Sequence, residues 1–533
     1  MDDYRRGGPA QSSAMAPVAP MAPVPPLAPV TPWLLGLAAL YVLAHAAVVA
    51  RYGIFRDELY YVACARHLAW GYVDHPPLIA LLTRLELALF GTSLAGLRVL
   101  PILAGAATVV LAGLLARELG GGRFAQVLAG LAVAVAPVYL FLFHILSMNA
   151  VDILLWTLAA YVLVRLLAGA DPRLWLLFGA VTGLGLETKH SMLLLGFGVF
   201  LGILLSPSRR LLASPWPWLG GLLAAALFAP NLLWEVRHGW PTIEFAQHAE
   251  TGKNVHYSPL AFFGQQALQL QLCAVPLWVA GFLGLLFAPS LRRFRALGWA
   301  YLAIAAVLLV QASKPYYLAP AYPWLFAAGA ALLDGWTAAR GGRTRRVLQT
   351  AALTVLAASG AVLAPLTLPL LPEETYIRYA ARLGIRAEAG ERHKMGVLPQ
   401  HFADMHGWPE LAAEVARVWR TLPPADRARC GIFGQNYGEA GAIDFFGPAL
   451  GLPHAISAHN SYFLWGPDGY DGSCLVVMND EASRLGEIFG DVRPAGRFDC
   501  RYCMPYEDGM AIHVCRSPKR PLREVWPEIK SFG

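Results

Sequence analysis

Between residues 32 and 368 the chain is a succession of long apolar runs, and such runs admit few folds. About 20 apolar residues is the length of a helix that crosses the hydrocarbon core of a bilayer. Eleven runs can be placed, with approximate limits 32–51, 97–117, 124–143, 150–169, 174–188, 191–206, 216–234, 262–288, 296–313, 317–338 and 347–368; the fifth and sixth are short and nearly continuous. Composition agrees, because only 14% of the 533 residues are charged while 56% are hydrophobic. Soluble proteins carry about 25% charge. The 16 tryptophans suit interfaces, where indole rings collect. The expectation is a polytopic α-helical membrane protein with about 11 spans.

Charge placement orients the spans. Alternate connections hold Arg117 and Arg123; Arg173; Arg209 and Arg210; Arg292, Arg293 and Arg295; Arg340, Arg343, Arg345 and Arg346. The opposite connections hold Asp57, Glu58, Asp74, His144, Asp152, Lys189, Glu235 and Lys314. The basic side of a multispan protein is cytoplasmic, so the N-terminus is expected inside and the C-terminus outside. The net charge of +7 is then mostly a topology signal, and no nucleic-acid partner is expected. Residues 1–31 include PVAPMAPVPPLAPV, too rich in proline for a helix. They read as a disordered Pro/Ala-rich cytoplasmic tail, with Arg5-Arg6 a basic anchor rather than half of a twin-arginine signal.

Residues 372–533 contain most of the charge and no spanning run. Short β-rich segments, Gly431-Ile432-Phe433 and Cys474-Leu475-Val476-Val477-Met478, alternate with helix-like stretches. A soluble α/β domain facing the periplasm or cell exterior is expected, following a membrane domain over residues 32–370. Five of the seven cysteines lie here: Cys430, Cys474, Cys500, Cys503 and Cys515. In an oxidising compartment some would pair. CRYC at 500–503 would also suit a redox or half-zinc motif, although one such pair specifies neither.

The polar groups of interest gather in the first outer loop, FRDELYYVACARHLAWGYVDHPPL at 55–78. Glu58 to Trp70 reads as one interfacial helix, and Pro76-Pro77 starts a second, PLIALLTRLELALF. Asp57, Glu58, Asp74 and His75 share this loop with Tyr60, Tyr61, Trp70 and Tyr72. Alone, Asp57 would read as a solvated loop acid or a helix cap. Its neighbours argue otherwise, because SMNAVD at 147–152, ETKH at 187–190 and SKPYY at 313–317 bring further polar groups to the same membrane level. A site at the outer leaflet is implied, rather than one at the bilayer midplane as in transporters. Lys189 beside His190, and Lys314 before Tyr316 and Tyr317, run against the positive-inside bias. Each is either a snorkelling lysine or a ligand for a lipid-linked phosphate. The loop acids and His75 would also suit a hard divalent ion, so a metal is possible without being specified.

DELYY followed by GYVDHPPL after one span resembles the bacterial family 39 glycosyltransferases, relatives of dolichyl-phosphate-mannose protein mannosyltransferases and of lipid A aminoarabinose transferases. TKHSMLLL, KPYYLAPAYPWL, NYGEAGAIDFFG and HNSYFLWGP extend the resemblance over nearly the whole chain after residue 32. It implies a GT-C architecture that transfers a sugar from a polyprenyl-phosphate donor to an acceptor at the outer face of the bacterial cytoplasmic membrane. It implies Asp57 as catalytic base or acceptor-orienting group, with Glu58 beside it. Lys189, His190 and Lys314 would serve the donor phosphate. Tyr60, Tyr61, Asp74, His75, Asp152, Tyr316 and Tyr317 would line the substrate site. Protein, glycolipid and polysaccharide acceptors all remain open.

Two rivals stand beside this. A transporter or flippase for lipid-linked sugars would place polar groups within spans, and Gln265, Gln266, Gln269 and Gln271 in the eighth run are its best support. A noncatalytic assembly factor would leave Asp57 dispensable.

Overall fold

The computed structural model describes residues 28–252, 255, 257–386 and 394–533. Most of the tail expected at 1–31, with Arg5-Arg6, lies outside the described residues. The chain is predominantly helical up to residue 382. Five helices are long and apolar enough to cross a membrane, namely Leu94–Glu118, Met148–Leu167, Pro215–Arg237, Pro289–Val310 and Gly342–Leu366. Counting each bent helix pair as one span gives up to seven, and Pro32–Ala46, Arg123–Ala134 and Leu174–Leu186 are shorter apolar helices. These segments fall on ten of the eleven expected runs, and the helix Tyr322–Ala338 occupies the other.

The breaks have local causes. The third run stops as a helix at Ala134 and restarts at Pro137, a residue suited to a first turn. The eighth run is two helices, Pro259–Gln269 and Leu272–Phe287, meeting at 101°. Between them Gln271 adopts φ +77°, which cannot continue a helix. Gln266 donates to the Pro315 carbonyl at 2.7 Å and Gln271 to the Leu356 carbonyl at 3.1 Å. These two glutamines thereby tie the bent segment to the turn Pro315–Ala321 and to the helix Gly342–Leu363.

The first outer loop folds as two helices, Arg56–Arg66 and Leu78–Phe90. The second is one-sided: Ile79, Ala80 and Thr83 are buried while Leu81, Leu85, Leu89 and Phe90 are exposed, as suits a helix lying in an interface. Beyond residue 430 the strands β1 (Gly431–Phe433), β2 (Ala455–Ile456), β3 (Cys474–Met478), β4 (Phe489–Phe498) and β5 (Met510–Pro518) form one sheet in the order β2-β1-β3-β5-β4. β1 pairs in parallel with β2 and β3, while β5 is antiparallel to β3 and β4. Cys430 and Cys474, at the adjoining starts of β1 and β3, form a disulfide; Cys500 and Cys503 form another, and Cys515 is free and buried.

The sheet region shares a core with the first loop. Leu59, Tyr60, Val62, Tyr72 and Ile79 pack in one apolar cluster with Leu411, Val415, Ile432, Ala440, Ile443 and Val476. Close approach depends on Gly438, where a Cβ would stand 2.6 Å from the Arg56 side chain. The helix Tyr437–Phe446 is thereby seated on the helix Arg56–Arg66, and residues some 380 positions apart meet.

Candidate functional site

The two neighbouring acids of the first loop have opposite surroundings. Both occupy the first turn of Arg56–Arg66, where the helix N-terminus favours negative charge. Glu58 turns inward and is fully buried. Its carboxylate accepts from Arg98 Nε at 2.9 Å and Nη2 at 2.7 Å, from the Phe55 N–H at 2.7 Å and from the Leu146 N–H at 2.8 Å. Arg98 also donates to the Val49 carbonyl at 2.6 Å and the Gly53 carbonyl at 2.8 Å. Glu58 therefore ties the loop to two other segments and has no face toward a substrate. This departs from the catalytic role expected of it.

Asp57 faces out, with its side chain 37% exposed. Its Oδ1 accepts from the Tyr437 hydroxyl at 2.8 Å, and Arg56 Nε lies 3.9 Å away. Tyr60 stacks on Tyr437 at 4.7 Å between ring centroids. The Tyr60 hydroxyl donates to Asp74 Oδ1 at 2.8 Å and lies 2.6 Å from Ser461 Oγ. Burial raises the Asp74 pKa, His75 and the Tyr60 hydrogen bond oppose that, and Asp57 adds to it. His75 is buried against Tyr72, with ring centroids 4.7 Å apart, and its Nδ1 meets the Pro76 carbonyl at 2.8 Å. Burial lowers its pKa, so the ring is favoured neutral.

A cationic pole stands nearby. Lys189 Nζ donates to Asn149 Oδ1 at 2.7 Å and lies 4.3 Å from the Tyr317 ring centroid and 5.5 Å from that of Tyr316. Ser147 Oγ accepts from the Asn149 amide at 2.9 Å, which aims Oδ1 at the lysine. Asp152 is buried, accepts from Ser191 Oγ at 3.1 Å on both oxygens, and feels the Lys189 charge. His190 Nε2 meets Asn231 Oδ1 at 3.1 Å, and Asn231 Nδ2 donates to the Trp70 carbonyl at 2.9 Å. Lys314 is half-buried at the start of the turn that carries Tyr316 and Tyr317.

Residues 146–149 connect the first loop to the lysine. The Leu146 N–H is anchored by Glu58, Tyr61 meets the Met148 backbone and feels the charges of Asp57 and Asp74, and Asn149 holds Lys189. The Leu78 N–H donates to the Glu187 carbonyl at 2.8 Å, which ties the second loop helix to the ETKH turn. Gly71 lets the loop press onto the helix Pro215–Arg237, since a Cβ there would stand 2.3 Å from the Trp234 ring. The loop acids do not converge as metal ligands. Among the described residues, no group of three or more His, Cys, Asp or Glu side chains is placed to hold a metal ion.

Asn149 and Asn231, polar residues in otherwise apolar helices, were detectable in the sequence as candidates. Tyr437 and Ser461 lie in NYGEAGAIDFFG and HNSYFLWGP, segments the sequence singles out, but nothing local pairs them with the first loop, from which they are separated by 380 and 401 residues.

Residues 74–234 match the family described as dolichyl-phosphate-mannose-protein mannosyltransferase. That span contains Asp74, His75, Asp152, Lys189 and His190; Asp57 precedes it. No curated protein matches the sequence. Among solved structures, ArnT from Cupriavidus metallidurans bound to undecaprenyl phosphate superposes with a TM-score of 0.60 at 16% identity, covering 90% of this chain and 98% of that one. Arabinofuranosyltransferase AftD from Mycobacteria superposes at 0.52 and 16% identity, over 92% of this chain and 40% of that one. Residues 74–234 thus match the dolichyl-phosphate-mannose-protein mannosyltransferase family model, and the chain shares the fold of ArnT.

Proposed function

We propose that the chain moves a sugar from a polyprenyl-phosphate donor to an acceptor at the outer face of the bacterial cytoplasmic membrane. The observation that carries this reading is one exposed carboxylate, Asp57, in the first outer loop and one aromatic-flanked lysine, Lys189, on a turn that the same loop reaches through the Leu78 N–H bond to the Glu187 carbonyl. The solved ArnT relative carries undecaprenyl phosphate, which supports a lipid phosphate as the leaving group.

An acceptor hydroxyl or amine attacks the anomeric carbon of the donor sugar. Its proton passes to Asp57 as the new bond forms. The bond from the anomeric carbon to the phosphate oxygen breaks, and polyprenyl phosphate departs with the electron pair. Lys189 stabilises the charge that develops there, as a fixed cation in a site walled by aromatic rings. Asn149 fixes the ammonium, while His190 and Lys314 extend the polar surface toward the phosphate. Tyr316 and Tyr317 offer faces to the sugar or the prenyl chain. Asp152, behind the lysine, acts through the turn that positions it.

One displacement inverts the anomeric centre. A retaining route would need a second carboxylate as nucleophile. Asp74 is ill suited, being bonded to Tyr60 and favoured in its protonated form by burial. The N-terminus inside, eleven membrane passes with the short and bent segments included, and a C-terminal region outside remain the topology proposed with this function. Binding of undecaprenyl phosphate to purified protein tests the cationic pole. Lys189→Ala should weaken it by ~10-fold or more; unchanged affinity would remove Lys189 from the donor site.

A further inference from the structure

We infer that Tyr437, from the C-terminal region, is a positioning residue for Asp57, so that the site is incomplete without that region. The inference rests on Asp57 as the base proposed above. Tyr437 lies 380 residues from Asp57, yet its hydroxyl donates to Oδ1 at 2.8 Å. Asp57 Oδ2 has no hydrogen-bond partner among the described residues. The phenol thus occupies one carboxylate oxygen and leaves the other for the acceptor proton.

The ring is itself held at several points. Tyr437 opens the helix Tyr437–Phe446, whose cap Asn436 accepts from the Gly438 N–H at 2.8 Å and the Glu439 N–H at 3.1 Å. The Tyr437 N–H donates to His459 Nδ1 at 3.2 Å, and the two rings stack 5.0 Å apart and within 10° of parallel. Tyr60 stacks on the same ring, and the Arg56 guanidinium lies 5.3 Å from its centroid. A side chain fixed by so many contacts holds whatever it bonds. An exposed carboxylate would otherwise sample several rotamers, and only some present Oδ2 to an acceptor.

Tyr437→Phe removes the donor while keeping the ring and its stacking, so folding is expected to persist. The Asp57 carboxylate can be followed by its infrared stretching band in ¹³C-aspartate-labelled full-length protein at one fixed pH, as wild type minus Asp57→Asn. In Tyr437→Phe, the corresponding difference against Tyr437→Phe/Asp57→Asn should show that band shifted and broadened, as for a carboxylate that has lost a donor and samples several rotamers. With the undecaprenyl-phosphate sugar consumed by the wild type, kcat should fall ~10- to 100-fold while KM for the donor stays constant. A Tyr437→Phe band identical to that of the wild type overturns the inference, whatever the turnover. If Asp57→Asn turns over at the wild-type rate, the assignment of the base fails and Tyr437 loses its role with it. If Asp57→Asn is inactive while Tyr437→Phe keeps both kcat and the wild-type band, only the positioning role fails.

Discussion

The sharpest structural prediction concerns Glu58, the acid that looked catalytic in the sequence and lies in the core. Glu58→Gln keeps the shape of the side chain and removes its charge. It leaves the Arg98 guanidinium fully buried with only the Val49 and Gly53 carbonyls as other partners. Breaking a buried ion pair from one side costs about 3–5 kcal/mol, because the remaining charge is uncompensated. The amide still has one oxygen for the Phe55 or Leu146 N–H, but it cannot serve both and Arg98 as the carboxylate does. Leaving one N–H without a partner adds about 1–3 kcal/mol. Against a typical net stability of about 5–15 kcal/mol, this is a large share. Thermal unfolding of purified protein in one detergent, at one scan rate, should show a midpoint lowered by several degrees. The surviving folded fraction should turn over within ~3-fold of the wild-type rate, since no Glu58 oxygen faces Asp57's acceptor side. Arg98→Met combined with Glu58→Gln should cost less than the two single changes added together. A wild-type unfolding midpoint with turnover lost more than ~100-fold would refute the structural assignment and return Glu58 to the chemistry.

Two further outcomes follow from the C-terminal region. Asn436 Nδ2 bridges the buried carboxyls of Glu439 and Glu507, at 3.0 Å to each. Burial raises both pKa values, that of Glu507 to about 7, with Arg56 and Asn436 opposing the rise at Glu507. A carboxyl whose folded pKa lies above its unfolded value contributes stability that is full below the unfolded value and is lost as pH rises through the folded one. The wild type should therefore lose stability between about pH 5 and pH 8 relative to Glu507→Gln, and parallel curves would contradict this. The Cys430–Cys474 bridge spans 44 residues, so replacing both with serine should cost about 2–4 kcal/mol, read as a lower unfolding midpoint under non-reducing conditions.

The membrane architecture was legible because length and apolarity act locally, and the first loop because acids and aromatics crowd between apolar runs. Helix breaks were less so: a positive φ at Gln271 or a restart at Pro137 interrupts a run without changing its hydropathy. The roles of Asp57 and Glu58 could not be told apart in sequence. They are adjacent, equally acidic and equally suited to a helix first turn, and only the position of Arg98 and Leu146 sends one inward. The segments around β1 and β3 were readable from apolar, β-branched runs. That the sheet region would share a core with the first loop, and send Tyr437 and Ser461 into the site, depended on tertiary contacts that no local pattern encodes.

In the reaction proposed above, sugar transfer from the polyprenyl-phosphate donor depends on Asp57. The most direct test of this dependence incubates purified protein in nanodiscs with a panel of radiolabelled undecaprenyl-phosphate sugars and envelope extract, beside folded Asp57→Asn. With the wild type, label should be lost from one donor and appear in a new product, and neither should occur with Asp57→Asn. Product formed at the wild-type level by folded Asp57→Asn would contradict the dependence.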